Sequence, residues 1–200
     1  MTATRRRNPR GTGSRLREEI LAAATELLDA DGGERAVTLR AVARKAGIAA
    51  PSIYSHYLDQ PAIIYDVARQ AFTELCRALR TAVDQAGADP DARLDAACTA
   101  YLNFATDHPM RYRTMFGTAW NSVAAAKDSA ELGEEAVTML AECLADCVRQ
   151  GHCSSADPAT DAVALWLGLH GLAHQRSLSH SYRWPGDIVQ RITSPLSHLV

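Results

Sequence analysis

The stretch TLRAVARKAGIAAPSIYSHYLDQPAII, residues 38–64, decides the fold. Thr38 has the chemistry of a helix N-cap, and Leu39, Val42, Ala43 and Ala46 then share one face. Arg40, Arg44 and Lys45 fall elsewhere on that short helix, and Gly47 ends it. Ile48 points inward. A third short helix starts near Ala50-Pro51, because proline is tolerated in a first helical turn. Ile53 and Tyr57 lie one turn apart on its inner side, and Asp59 before Gln60-Pro61 signals another helix start. Two short helices joined by a glycine-containing turn make a compact right-angled pair whose second helix fits a major groove. The outward residues suit that task. Thr38, Ser52, Tyr54, Ser55 and His56 hydrogen-bond phosphates or base edges, and Arg40, Arg44 and Lys45 attract the backbone. Spacing alone fits a helical hairpin with a solvated polar surface as well.

The rest of the chain reads as helix in both directions. Residues 1–13 hold arginine, glycine and proline with almost nothing apolar, which predicts a mobile basic arm. Ser14 is the expected N-cap of a first helix running to about residue 30, stopped by Asp31-Gly32-Gly33. A long amphipathic helix is expected over 60–86 and another over 91–107. His108-Pro109 breaks the second. A short helix with Tyr112, Met115 and Phe116 follows, then one near 120–126. Two long helices over 129–150 and 158–179 come last, and Pro185 opens a final short one. Sustained period-two alternation is absent, so the expected class is all-α. The expected organisation is a basic arm over 1–13, a three-helix helix-turn-helix head over 14–58 and a larger helical body over 59–200.

The net charge of −2 argues against nucleic acid only as an average. Residues 1–57 hold 10 Lys/Arg against 6 Asp/Glu, while residues 58–200 hold 11 against 17. One end is basic and the remainder acidic, a pattern that points to nucleic-acid contact. No run approaches the ~20 apolar residues of a membrane span. The five cysteines at 76, 98, 143, 147 and 153 read as reduced thiols of a cytoplasmic protein.

With these residues in view, the segment resembles the DNA-binding unit of TetR-type (tetracycline-repressor-like) transcriptional regulators. The matching residues are Thr38, Val42, Ala43, Ala46, Gly47 and Ile48, then Ile53, Tyr54, His56 and Tyr57. The resemblance implies that Thr38, Tyr54 and His56 touch the DNA backbone. It also implies that Ala50, Pro51, Ser52 and Ser55 lie where bases are read. Tyr57 replaces the commoner phenylalanine, leaving a hydroxyl in need of a partner or solvent, and Gln60 stands where the family usually has lysine. The recognition helix carries no arginine or lysine, so charge must come from Arg40, Arg44, Lys45 and the arm, including Arg5, Arg6, Arg7, Arg10 and Arg15.

The last two long helices are apolar nearly all round. Val137, Leu140, Ala141, Leu144 and Val148 form one face, with Met139 and Cys143 off it. Ala162, Leu165, Trp166, Leu169 and Ala173 form another, with Val163, Leu167, Gly168 and Gly171 off it. Such helices bury two sides, one against the core and one against a second subunit. HPMRYRTMFG (108–117) and LWLGLHGLA (165–173) resemble stretches of one branch of the same family. The family implies a homodimer through these helices and a pocket for a small hydrophobic effector. The candidate lining is Tyr101, Phe104, Met115, Phe116, Trp120, Met139, Cys143, Trp166, His170 and His174. A mainly apolar lining is expected. Cys143, Cys147 and His152-Cys153 have spacings that could bind a soft metal, but their apolar setting favours plain burial. No catalytic motif, cofactor motif or metal site is expected. The reading is a dimeric, ligand-responsive repressor on a near-palindromic operator. The alternatives are a helical ligand-binding protein or enzyme without DNA function, or a metal or thiol sensor of the same fold.

Overall fold

Helix capping and apolar periodicity account for most of the element boundaries. The computed structural model describes residues 13–30, 33–117, 126–178 and 182–199. The first helix, α1 (Gly13–Asp29), starts one residue before the expected cap Ser14 and buries Ile20, Ala23, Ala24 and Leu28. A short 3-10 turn, Gly33–Ala36, follows. Four residues are too few for any periodic signal, so the sequence did not announce it. The expected stop signal lies partly outside the described residues.

The hairpin forms as the spacing requires, except that the third helix, expected to carry Tyr57, already ends at Ile53 and leaves Tyr57 in the segment after it. Thr38 caps α2 (Leu39–Lys45), its Oγ1 accepting the Ala41 N–H at 3.2 Å. The helix closes with the Ile48 N–H on the Ala43 carbonyl at 2.9 Å, and Gly47 takes φ +68°. That left-handed conformation strains any residue with a Cβ. Next comes α3 (Ala50–Ile53), with Pro51 in its first turn, followed by α4 (Gln60–Gln85). Asp59 caps α4 by accepting the Ala62 N–H at 2.9 Å.

The body holds α5 (Pro90–Asp107), α6 (Pro109–Met115), α7 (Ala126–Arg149), α8 (Pro158–Leu178) and α9 (Ile188–Ser197). The short helix expected near 120–126 falls almost wholly on 118–125, outside the described residues. Pro185 does not open α9. It lies in the preceding turn, where its carbonyl accepts the Ile188 N–H at 3.1 Å. A proline favours the start of a helix and the turn before one, and here the turn wins.

Two hydrophobic cores result, and α4 belongs to both. The first unites Ile20, Ala24 and Leu28 with Val42, Ala43, Ile53 and Tyr57, and takes in Ile63, Ile64 and Val67 of α4. The second unites Leu75 and Leu79 of α4 with Leu94, Tyr101, Tyr112, Leu140, Leu144, Leu165 and Leu169. Any tilt of α4 is therefore felt in both. In α7 the inward side is Ala136, Met139, Leu140, Cys143, Leu144 and Cys147. Met139 and Cys143 thus sit on the buried face rather than off it, while Val137, Ala141 and Val148 are only partly buried. A helix apolar all round gives periodicity no means to choose its inner side.

Helix α8 buries Ala162, Leu165, Leu169, Leu172 and Ala173. Gly168, expected on the free side, is instead where α9 crosses. A Cβ there would lie 2.7 Å from both Ile192 Cγ2 and Leu196 Cδ1. Val163 (44% exposed) and Leu167 (55%) stay uncovered, and nothing lies within 4 Å of a Cβ built at Gly171. Among the described residues no helix is long and apolar enough to cross a membrane.

The close α8–α9 crossing has a measurable consequence. Gly168→Leu should cost about 1–3 kcal/mol in urea-induced unfolding, because two packed side chains must move. Gly171→Leu, with nothing of the same chain within 4 Å of the added Cβ, should not destabilise the fold of the single chain.

Candidate nucleic-acid interface

The recognition helix is held from behind by one buried carboxylate. Asp66, on the inner side of α4, accepts the Tyr57 hydroxyl at 2.7 Å and the Arg17 guanidinium of α1 at 2.6 Å. Arg17 also lies over the Tyr57 ring, 4.9 Å from its centroid. The hydroxyl that set Tyr57 apart has therefore found its partner inside the protein. Burial, then the bond to Asp66, pushes the Tyr57 phenol well above its ordinary range, so it remains a donor. Arg17's own hydrogen bond to Asp66 raises the guanidinium in turn. Asp66 and Arg17 were not singled out from sequence. The available signal was an acid among Ile63, Ile64, Val67 and Ala68 on a helix stripe that is otherwise apolar.

In front of this anchor the expected residues point outward. Thr38, Arg40, Arg44, Ala50, Pro51, Ser52, Tyr54 and Ser55 are exposed, and His56 is half-buried. Ser55 donates to the Ser52 carbonyl at 2.8 Å, which ties its hydroxyl to its own turn. Lys45 reaches back to Glu26 of α1 at 2.7 Å. Both partners are well exposed, so the pair is weak and a phosphate competes with it easily. Gln60 does not face outward freely. Its amide donates to the Glu34 carbonyl of the 3-10 turn at 2.8 Å. Glutamine in place of lysine thus serves as a packing bond at this corner. The arm residues over 1–12 lie outside the described part of the chain.

A second joint links head and body. Arg111 of α6 chelates Asp29 at the end of α1, with Nε 3.0 Å and Nη2 2.6 Å from Oδ2. Its Nη1 bonds Glu74 of α4 at 2.7 Å. Beside it, Met110 packs on the head core. Asp29, Glu74 and Arg111 were also missed, because pairs separated by up to 82 residues leave no local pattern.

The expected lining residues of the body divide into groups. Tyr101, Phe116, Trp166 and His170 come together with Tyr112. The Tyr112 hydroxyl and His170 Nδ1 hydrogen-bond at 2.7 Å, and the hydroxyls of Tyr101 and Tyr112 are 3.1 Å apart. Trp166 stacks on His170 with centroids 5.4 Å apart, and Phe116 meets it edge-on at 4.4 Å. Burial, then the nearby His174, lowers the His170 pKa and keeps the ring neutral. A neutral ring carries one donor and one acceptor nitrogen, so Nδ1 pairs with the Tyr112 hydroxyl in either tautomer. Burial lifts Tyr101 to about 12. Met115 is fully buried, Phe104 packs against His108 at 5.1 Å, and His174 is exposed. Trp120 lies outside the described residues.

Met139 and Cys143 instead floor a separate cavity of about 500 Å³ between α4, α5 and α7, together with Val83. Its rim is charged, with Arg80, Asp84, Arg93, Glu142, Asp146 and Arg149. Only Met139 and Cys143 of the ten candidate lining residues border this cavity. Helix ends and polar faces converge there, which a composition argument does not see.

The cysteines behave as core residues. Burial is the leading cause that raises Cys76, Cys98 and Cys147 to about 12 and raises Cys143, so these groups are thiols at neutral pH. His152 bonds Asp91 at 2.9 Å, and it lies beside Asp89 and Asp91 rather than forming a cluster with the cysteines.

A helix-turn-helix with its polar side outward, set on an all-helical body, defines the class of DNA-binding transcriptional regulators. Residues 20–59 match the model for bacterial regulatory proteins of the tetR family, and residues 94–198 match the tetracyclin repressor-like C-terminal domain. The chain belongs to the TetR family. Among solved structures, a protein of unknown function from Rhodococcus sp. RHA1 is 27% identical, with a TM-score of 0.78 over 96% of this chain and 97% of that one. The fatty acid degradation regulator FadR from Bacillus halodurans is 12% identical, with a TM-score of 0.71 over 95% and 96%. PfmR, a TetR family transcriptional regulator from Thermus thermophilus, is 20% identical, with a TM-score of 0.64 over 88% and 94%. No curated protein matches the chain.

The anchor behind the recognition helix gives a graded test. Tyr57→Phe should cost about 1.5 kcal/mol and Asp66→Ala about 2–3 kcal/mol in unfolding experiments. Hydrogen exchange should rise in residues 17–67 before it rises in α7 and α8.

Proposed function

We propose that this regulator is a ligand-responsive repressor that binds a near-palindromic operator as a homodimer. The observation that carries the reading is the head itself. Thr38, Arg40, Arg44, Ser52 and Tyr54 form one exposed polar surface on a braced helix-turn-helix. Thr38, Tyr54 and His56 bind phosphates, with Arg40, Arg44 and Lys45 supplying charge, while Ala50, Pro51, Ser52 and Ser55 face the bases. Gln60 contributes through the start of α4 rather than through its side chain. The basic arm over 1–13 adds contacts along the minor groove. The protein acts in the cytoplasm, where its thiols stay reduced.

The dimer forms through α7 and α8. Support comes from the stripe Val163, Leu167 and Gly171, spaced four residues apart on α8 and uncovered within one chain. Burying each large aliphatic residue there contributes about 1.5–3 kcal/mol. A twofold axis between the bodies sets two recognition helices one turn of DNA apart.

The effector is a small amphipathic molecule in the body. The cavity floored by Val83, Met139 and Cys143 takes its apolar part, and the charged rim orients its polar end. The aromatic cluster around His170 lies beside α6 and senses the same rearrangement. Two connections carry it to the head: α4, which belongs to both cores, and α6, which Arg111 ties to Asp29. Effector binding favours the arrangement whose head separation no longer fits the operator.

The direct test is a gel shift with the DNA upstream of the protein's own gene. Sequence-selective binding that weakens steeply with salt is expected, and its absence would remove the regulator reading. Leu167→Glu should convert the dimer to a monomer in sedimentation and weaken operator binding at least about tenfold, since two half-sites would no longer be held together. A variant that stays dimeric would place the interface elsewhere.

A further inference from the structure

We propose that the head reads thymine by its 5-methyl group, seated against the carbon-lined side of a notch between the two helices of the hairpin. The proposal rests on the DNA-binding reading above and adds the base chemistry that the reading leaves open. The notch is a cavity of about 140 Å³ lined by Leu39, Arg40, Ala50, Pro51, Ile53 and Tyr54. Ile53 is fully buried and forms its floor. Ala50 and Pro51 are exposed on one wall, and the Tyr54 ring, 54% exposed, forms part of another. Arg40 is exposed at the rim and makes no ion pair among the described residues.

Two constraints converge on the methyl group. The recognition segment AAPSIYSHY, residues 49–57, holds no arginine, lysine, asparagine or glutamine. The bidentate contacts that single out guanine or adenine are therefore missing from it. Ser55 is already bonded to the Ser52 carbonyl, so its hydroxyl offers little for base reading. Besides the Ser52 hydroxyl, what the front of the helix offers is carbon: a methyl on Ala50, a ring on Pro51, and the floor behind them. In the major groove, thymine is the base that presents a carbon group for such surfaces to cover. Arg40 at the rim lies beside the path of the neighbouring phosphate, so its charge holds the strand while the notch takes the methyl. The result is a reader that gains specificity from shape and apolar burial.

The test uses an operator duplex selected from a random pool by the full chain. Each thymine in a half-site is replaced by deoxyuridine, which deletes the methyl and leaves pairing intact. At least one position per half-site should weaken binding about four-fold, the worth of one buried methyl. At that position cytosine should bind poorly and 5-methylcytosine should recover part of the loss. Pro51→Ala trims an exposed wall without touching the core, and it should bring the deoxyuridine penalty below about two-fold. Selective binding with no deoxyuridine penalty at any thymine overturns the proposal, as does an unchanged penalty in Pro51→Ala. A chain that selects no sequence at all fails at the earlier step, the DNA-binding reading itself.

Discussion

Asp66 is the constraint on which the head depends. A carboxylate on the inner side of a helix is costly unless its oxygens are bonded. Here one oxygen, Oδ2, accepts from two directions, from the Tyr57 hydroxyl in the segment after α3 and from the Arg17 guanidinium of α1. Apolar packing fixes how near α1, the hairpin and α4 approach, but it is tolerant of small rotations. The bonds to Asp66 are not, because their lengths and directions are set. The back of the recognition helix is thereby fixed to the first turns of α4, and its front is left free to meet DNA.

The same helix carries the consequence into the body. Ile63, Ile64 and Val67 lie in the head core, and Leu75 and Leu79 lie in the body core. A rearrangement around the body cavity thus has a rigid path to the DNA-reading surface. Arg111 supplies a second attachment, from α6 to the end of α1 and to α4 at once. These two attachments, the shared helix α4 and the Arg111 contacts, both restrain the head relative to the body.

The hairpin was readable in the sequence because its rules are local. Thr38 and Asp59 cap helices, Gly47 takes the left-handed turn, and Leu39, Val42 and Ala43 repeat at helical spacing. Those features act within a few residues, so a linear reading finds them. The parts missed are those in which distant residues meet. Asp66 with Arg17, and Arg111 with Asp29, are tertiary pairs with no sequence spacing to betray them. The body misled for a different reason. Helix α8 is apolar on every side, so its sequence could not say that Gly168 lies under α9 while Leu167 is left uncovered. The cavity at Met139 and Cys143 gained a charged rim because Arg93 and Arg149 approach from different helices.

In the proposed assembly, a body-to-body dimer holds two braced recognition helices at a fixed spacing on DNA. Spin labels at Leu58→Cys measure this directly. Leu58 is 83% exposed just beyond the recognition helix, while the five native cysteines are buried and label poorly. Pulsed electron spin resonance on the operator complex should give one narrow distance near one turn of duplex, ~35 Å. A monomeric protein without any such distance, or a broad distribution unchanged by operator DNA, would contradict the account.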